Sequence, residues 1–171
     1  VTAFDQPALG GVYKLAALRH DSSAPVSAGE WDYKMKLSEQ AIKISTPGIQ
    51  QVRRFRNEQG FVADMIFDES SAVTESEGTP MIMIDPLDFT KRRKFDASQP
   101  YEDLLVPIFR SGNYVYESPD IHVIRERVQT QLAGLHPGVK RFVNPHIYPV
   151  GLEKHLHELK TKLILKLREG D

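Results

Sequence analysis

The chain has 171 residues, a formal net charge of −1 and no cysteine, with 40% hydrophobic and 26% charged residues. This is ordinary for a globular domain with a substantial core, and the lack of cysteine excludes disulfides and thiolate metal sites. No run approaches the roughly 18–20 apolar residues of a membrane-spanning helix, nothing resembles a signal peptide, and cytosol is the default location. Charge is uneven: residues 1–120 sum to −5 and residues 121–171 to +4. The basic end is interleaved with Glu on two expected helices, so it reads as a solvated face and not as a nucleic-acid footprint.

In chain order, Val12 to Leu18 is a short apolar run after Gly10-Gly11 and predicts a partly buried strand. His20 to Glu30 is a loop by composition. Trp31 to Leu37 alternates large apolar and polar residues, as a strand with one buried face does. Thr46-Pro47-Gly48 predicts a turn, since Pro fixes φ and Gly accepts a positive one. Gln50 to Arg56 and Phe61 to Phe67 flank Asn57-Glu58-Gln59-Gly60 and predict a hairpin. Asp68 to Pro80 is an acidic, Ser-rich loop, followed by a short strand from Met81 to Ile84. Leu104 to Arg110 and Tyr114 to Glu117, on either side of Ser111-Gly112-Asn113, predict a second hairpin.

The end of the chain reads as helical. Ser118-Pro119 supplies an N-cap and a first-turn proline. The stripe Ile121, Ile124, Val128, Leu132, Leu135 then follows helical spacing as far as Gly134 and Pro137. A Pro-rich connector leads to a last helix with the stripe Leu152, Leu156, Leu159, Leu163, Leu167 and a stop at Gly170. The fold class is therefore α+β, with strands and hairpins in the first two-thirds and two C-terminal helices.

Most candidate chemistry fails on spacing. His155 and His157 lie about 200° apart on a helix and cannot share a metal. Lys91 to Lys94 is a short basic run that reads as a solvated loop. Asp64, Asp68 and Glu69 lack the spacing of a calcium loop, and no phosphate loop, dinucleotide fingerprint or nucleophile elbow is present. No metal site and no complete catalytic centre emerges. Three lysines remain: Lys14 just past Gly10-Gly11, Lys36 at the end of the second strand, and Lys43 before the Pro-Gly turn. Lysines at strand ends beside glycine turns can meet a phosphate; equally, edge lysines discourage strand pairing.

The stretches "DQPALGGVYKL" (Asp5 to Leu15) and "KLSE" (Lys36 to Glu39), then Lys43, Pro47-Gly48 and the Gln- and Arg-rich Gln50 to Phe55, resemble the nicotinate phosphoribosyltransferase family. "FVADMIF" and "YPVGLEKHLHELKTKL" extend the resemblance nearly end to end, with the first fifty-five residues the most specific. The loop from His20 to Tyr33 is longer than the family pattern, and "QQVRRFRNEQG" is more basic. Against that pattern Val1 falls at an internal position. The whole of residues 1–171 resembles the C-terminal third of a longer enzyme: 1–18 continuing from a barrel core, 19–117 a β-rich part, and 118–171 a helical part. The implied fold is a fragment of a type II phosphoribosyltransferase, a β-rich domain packed on an incomplete α/β barrel.

The resemblance implies a reaction in which nicotinate displaces pyrophosphate from phosphoribosyl pyrophosphate to give nicotinate mononucleotide. That step of NAD salvage is coupled to ATP hydrolysis through a phosphohistidine and assisted by Mg²⁺. It places the phosphohistidine and the nicotinate-binding arginine outside this chain, leaves no catalytic residue within it, and implies a cytoplasmic homodimer with active sites completed between subunits. For these residues it implies a scaffold, with Lys36, Lys43 and Lys14 as phosphate partners and Gly10 and Gly11 allowing close backbone approach. ATP and Mg²⁺ are then expected to bind the full enzyme and not this segment alone. The other reading is a stand-alone β-rich interaction module without catalysis; a nucleic-acid module is weaker still.

Overall fold

A computed structural model of the chain describes residues 12–19, 31–71 and 79–170. Its centre is a six-stranded mixed sheet. The expected first hairpin is its longest part: β3 (Gln50–Asn57) and β4 (Gly60–Asp68) run antiparallel, closed by Glu58-Gln59, with Asn57 Oδ1 accepting from Gln59 N at 2.9 Å. Two shorter strands come earlier, β1 (Ala17–Leu18) and β2 (Asp32–Tyr33), and form a separate pair. Both are remnants of the longer strands expected at 12–18 and 31–37. Val12, Tyr13 and Leu15 are exposed, so no buried face holds the run in a ladder.

β5 (Met81–Ile84) lies where expected. Three strands lie where none was expected: β6 (Arg92–Phe95) over most of the basic run read as a solvated loop, β7 (Tyr101–Asp103), and β10 (Val150–Glu153) across the end of the Pro-rich connector and the expected start of the last helix. The second hairpin shrinks to β8 (Phe109–Arg110) and β9 (Asn113–Tyr114). The sheet order is β6-β5-β10-β4-β3-β7, with β10 parallel to β4 and every other pairing antiparallel.

The sheet is strongly curled. β6 is one edge and β3 lies four places along, yet Phe95 of β6 stacks on Phe55 of β3 at 3.7 Å between ring centroids. Arg93 on that edge donates to the Val62 carbonyl of β4 at 2.9 Å. The concave face thus closes on itself around Phe55, Ala63, Met65, Met83 and Phe95, all buried. Burying such side chains contributes about 1.5–3 kcal/mol each for the larger ones.

The convex face carries both helices. α1 (Ile121–Gly134) is capped by Asp120, which accepts from His122 N at 2.8 Å; the cap lies two residues past the expected Ser118. α2 (Lys154–Glu169) packs on β5, β10 and β4 and buries Leu156. Glu153 caps it, so Leu152 is the inward residue of β10 and not the first residue of the helical stripe. Gly170, at φ +80°, ends it as expected.

Candidate phosphate-contact site

The loop from Lys43 to Gly48 is held from three directions. From the first segment, the Lys14 ammonium donates to the Lys43 carbonyl at 3.0 Å, and the Ala16 carbonyl accepts from Gly48 N at 3.1 Å and from Lys34 N at 2.9 Å. From β4, the buried Asp68 carboxylate accepts from Ile49 N, from Ser70 N and Oγ, and from the Tyr33 hydroxyl. From α2, Lys160 Nζ reaches Thr46 Oγ1 at 3.1 Å and the Ile44 carbonyl at 3.4 Å. Inside the loop, buried Ser45 exchanges two bonds with the Lys36 backbone, accepting from Lys36 N at 2.7 Å and donating its own N–H to the Lys36 carbonyl at 3.2 Å.

Two of the three expected lysines therefore meet: Lys14 lies on the backbone of Lys43. Lys36 joins through its main chain and its side chain is exposed. Gly10 and Gly11 lie outside the described residues. The sequence reading missed Lys160, although a signal was present: at four residues past Leu156 it falls inside the apolar stripe of α2, where a lysine has no packing reason to be.

Burial first, and then the charge of Lys14, hold the Lys160 ammonium below the ordinary lysine value of 10.5. Folding therefore favours the neutral amine. The charged form works against stability at neutral pH, and that cost is relieved as pH rises through the lowered pKa toward 10.5. An anion near Lys14 and Lys160 reverses the sense by favouring the charged form. Inorganic pyrophosphate titrated calorimetrically into the full-length protein between about pH 7 and 10 should thus lose affinity below the pH where ordinary lysines titrate. In Lys160→Met that early loss should vanish.

Other charged groups are committed to structure, Arg54 and Arg53 foremost. Arg54 forms a two-pronged pair with Asp64 at 2.8 and 2.6 Å and donates to Gln131 of α1 at 2.5 Å; the Tyr148 hydroxyl donates to Asp64 at 2.9 Å. Burial, then Asp64, push the Tyr148 phenol far up, so it stays a donor. Arg53 grips Asp103 at 2.7 and 2.9 Å between the rings of Phe67 and Tyr101. Gln51 pairs with both backbone groups of Leu105, which explains why the three-residue β7 stays docked. A groove of about 690 Å³ between α2 and the β5–β6 turn, lined in part by Phe89, Arg92, His157 and Lys166, excludes all three expected lysines. His155 bonds Glu153 at 2.8 Å while His157 faces this groove.

Together these residues define an α+β domain with a curled sheet, two helices on its convex side and a braced cationic loop at one end. The model of the Nicotinate phosphoribosyltransferase C-terminal domain matches residues 49–160, and the chain belongs to that family. It is 31% identical to the Nicotinate phosphoribosyltransferase of Bacillus subtilis (strain 168) over 99% of this chain and 34% of that protein. The Caenorhabditis elegans protein of the same name is 29% identical over 97% of this chain and 28% of that protein. The crystal structure of human Nicotinic Acid Phosphoribosyltransferase superposes with a TM-score of 0.60 at 21% identity, covering 79% of this chain and 27% of that one; it shows the fold. The chain spans about a third of the length of the curated relatives it matches.

Proposed function

We propose that the chain is the C-terminal domain of an enzyme that joins nicotinate to phosphoribosyl pyrophosphate, releasing pyrophosphate with ATP hydrolysis. Within it, this domain is mainly scaffold and lends positive charge to a phosphate group. The observation that carries the reading is the braced loop: Lys14 fixed on Lys43, with half-buried Lys160 behind them. The phosphates of phosphoribosyl pyrophosphate carry their charge before and during the reaction, so ammonium groups already fixed in place favour the bound substrate and its transition state alike. The residues of the chain divide into the segment 1–18 leading in from a barrel core, a β-rich part over 19–117 and a helical part over 118–171.

Asp64 and Asp68, the buried carboxylates, do not fit Mg²⁺, and among the described residues no group of three or more His, Asp or Glu could hold a metal ion. Asp64 is saturated by Arg54 and Tyr148, and Asp68 by Tyr33, Ser70 and Ile49, so neither offers free oxygens to a hard cation. Mg²⁺, the phosphohistidine and the nicotinate contacts are assigned to the rest of the polypeptide, and the enzyme to a cytoplasmic homodimer whose active sites are completed between subunits. Among the described residues no helix is long and apolar enough to cross a membrane.

The test is Lys36→Ala in the full-length enzyme. A raised KM for phosphoribosyl pyrophosphate, about three- to tenfold for one charge-assisted contact, is expected. Unchanged kinetics would return Lys36 to the role of an edge lysine whose backbone alone matters.

A further inference from the structure

The groove between α2 and the β5–β6 turn is separate from the lysine loop. Its helical wall recurs at every third or fourth position from Lys154 to Glu169, and Lys160 lies roughly 150° round α2 from the middle of that wall. Arg92, Lys154, Lys162 and Lys166 line it against the carboxylates of Glu158 and Glu169. Lys154 and Glu158 pair at 3.8 Å. Among the described residues the ammonium groups of Lys162 and Lys166 meet no acceptor. Arg92 Nε donates to the Phe89 carbonyl at 3.0 Å, which fixes the guanidinium while its terminal nitrogens bond no described residue. Burial first, and then the charge of Arg92, hold the His157 imidazole in the same groove below its ordinary value. The apolar lining is the buried Ile84 with Phe89 and Leu165, which are 64% and 53% exposed.

We propose that this groove is a second anion site on the domain and takes a nucleotide, its base against Phe89 and Leu165 and its phosphates on Arg92, Lys162 and Lys166. Three observations select that ligand. The uncommitted groups are cations, and a guanidinium fork beside two ammonium groups matches phosphate oxygens. The open ring of Phe89 offers a stacking face that every base can use, whereas a bare inorganic anion gains nothing from it. The volume of about 690 Å³ falls within the range of small-molecule sites, about 300–1,000 Å³. Of the two carboxylates, Glu158 is spent on Lys154, and Glu169 is an acceptor for ribose hydroxyls. The inference rests on the groove alone, so it and the lysine loop can fail independently.

The experiment photolabels the full-length protein with an azidoadenosine diphosphate and maps the modified peptides by mass spectrometry. Label on the β5–β6 turn or on α2 is expected, apart from any at the substrate site. Lys162→Glu combined with Lys166→Glu should reduce that label by about tenfold or more, and Phe89→Leu should reduce it several-fold; all three side chains are exposed, so the fold tolerates the changes. Adenosine diphosphate should protect the groove from labelling better than inorganic pyrophosphate does. Label absent from both peptides, or undiminished in the variants, would overturn the proposal. Equal protection by pyrophosphate would overturn it as well, by showing a bare anion patch with no place for a base.

Discussion

Asp64→Ala is expected to destabilise the domain by about 3–5 kcal/mol, because it leaves the Arg54 guanidinium partly buried without its counter-ion. Arg54 and Asp64 face each other across β3 and β4, with side-chain exposures of 18% and 11%. The pair also holds Gln131 of α1 and Tyr148 before β10, so its loss loosens the sheet, one helix and the connector together. Replacing both partners with apolar residues, as in Arg54→Met with Asp64→Leu, should cost markedly less than the single change. Chemical unfolding of the full-length protein checks the pair, followed by amide exchange of β3, β4 and α1. A single-variant loss under about 1 kcal/mol would mean the ion pair behaves as an exposed one.

Gly60→Ala should have the second large effect. Gly60 has φ +120°, and a Cβ there would lie 2.3 Å from the Gly134 carbonyl oxygen, which is backbone and cannot rotate away. The strained dihedral alone costs on the order of 1–3 kcal/mol, and the collision adds the displacement of α1 from β4. Gly112→Ala is the comparison: φ is +79° and nothing lies within 4 Å, so that variant bears the dihedral cost only, about 1–2 kcal/mol. The excess of Gly60→Ala over Gly112→Ala, measured by unfolding, reports the helix–hairpin contact. Equal losses would show that α1 moves aside freely.

These two sites also show what was legible beforehand. The β3–β4 hairpin announced itself through a Gln- and Arg-rich arm and an apolar-rich arm around a short turn ending in glycine, all of it local information. β6 did not, because Arg92, Arg93 and Lys94 are exposed and only Phe95 is buried, stacking on Phe55; a strand with a single buried side chain leaves no periodicity. β10 hid for a similar reason. Its partners are β4, far back in the chain and parallel, and β5, and its Gly151 has no side chain because the Met83 side chain and the Ile84 carbonyl pass within 2.7 Å of where a Cβ would sit. The α1 stripe was read correctly as helical, but its periodicity could not say that the described chain leaves it uncovered. Of the candidate site, Lys14 and Lys43 were visible as lysines near turns, and the loop between them needed Lys160. That residue is 116 positions from Ile44, a separation no local pattern spans.

The central claim is that this domain supplies charge to a phosphate and leaves the bond-breaking groups elsewhere. Its most direct test is steady-state kinetics of the full-length enzyme with Lys14, Lys43 and Lys160 all changed to Met. The account predicts a KM for phosphoribosyl pyrophosphate raised by about tenfold or more, with kcat at saturating substrate within a few-fold of the parent. A collapse of kcat with KM unmoved would place these lysines at the reacting atoms, and no change in either would remove the domain from substrate binding altogether.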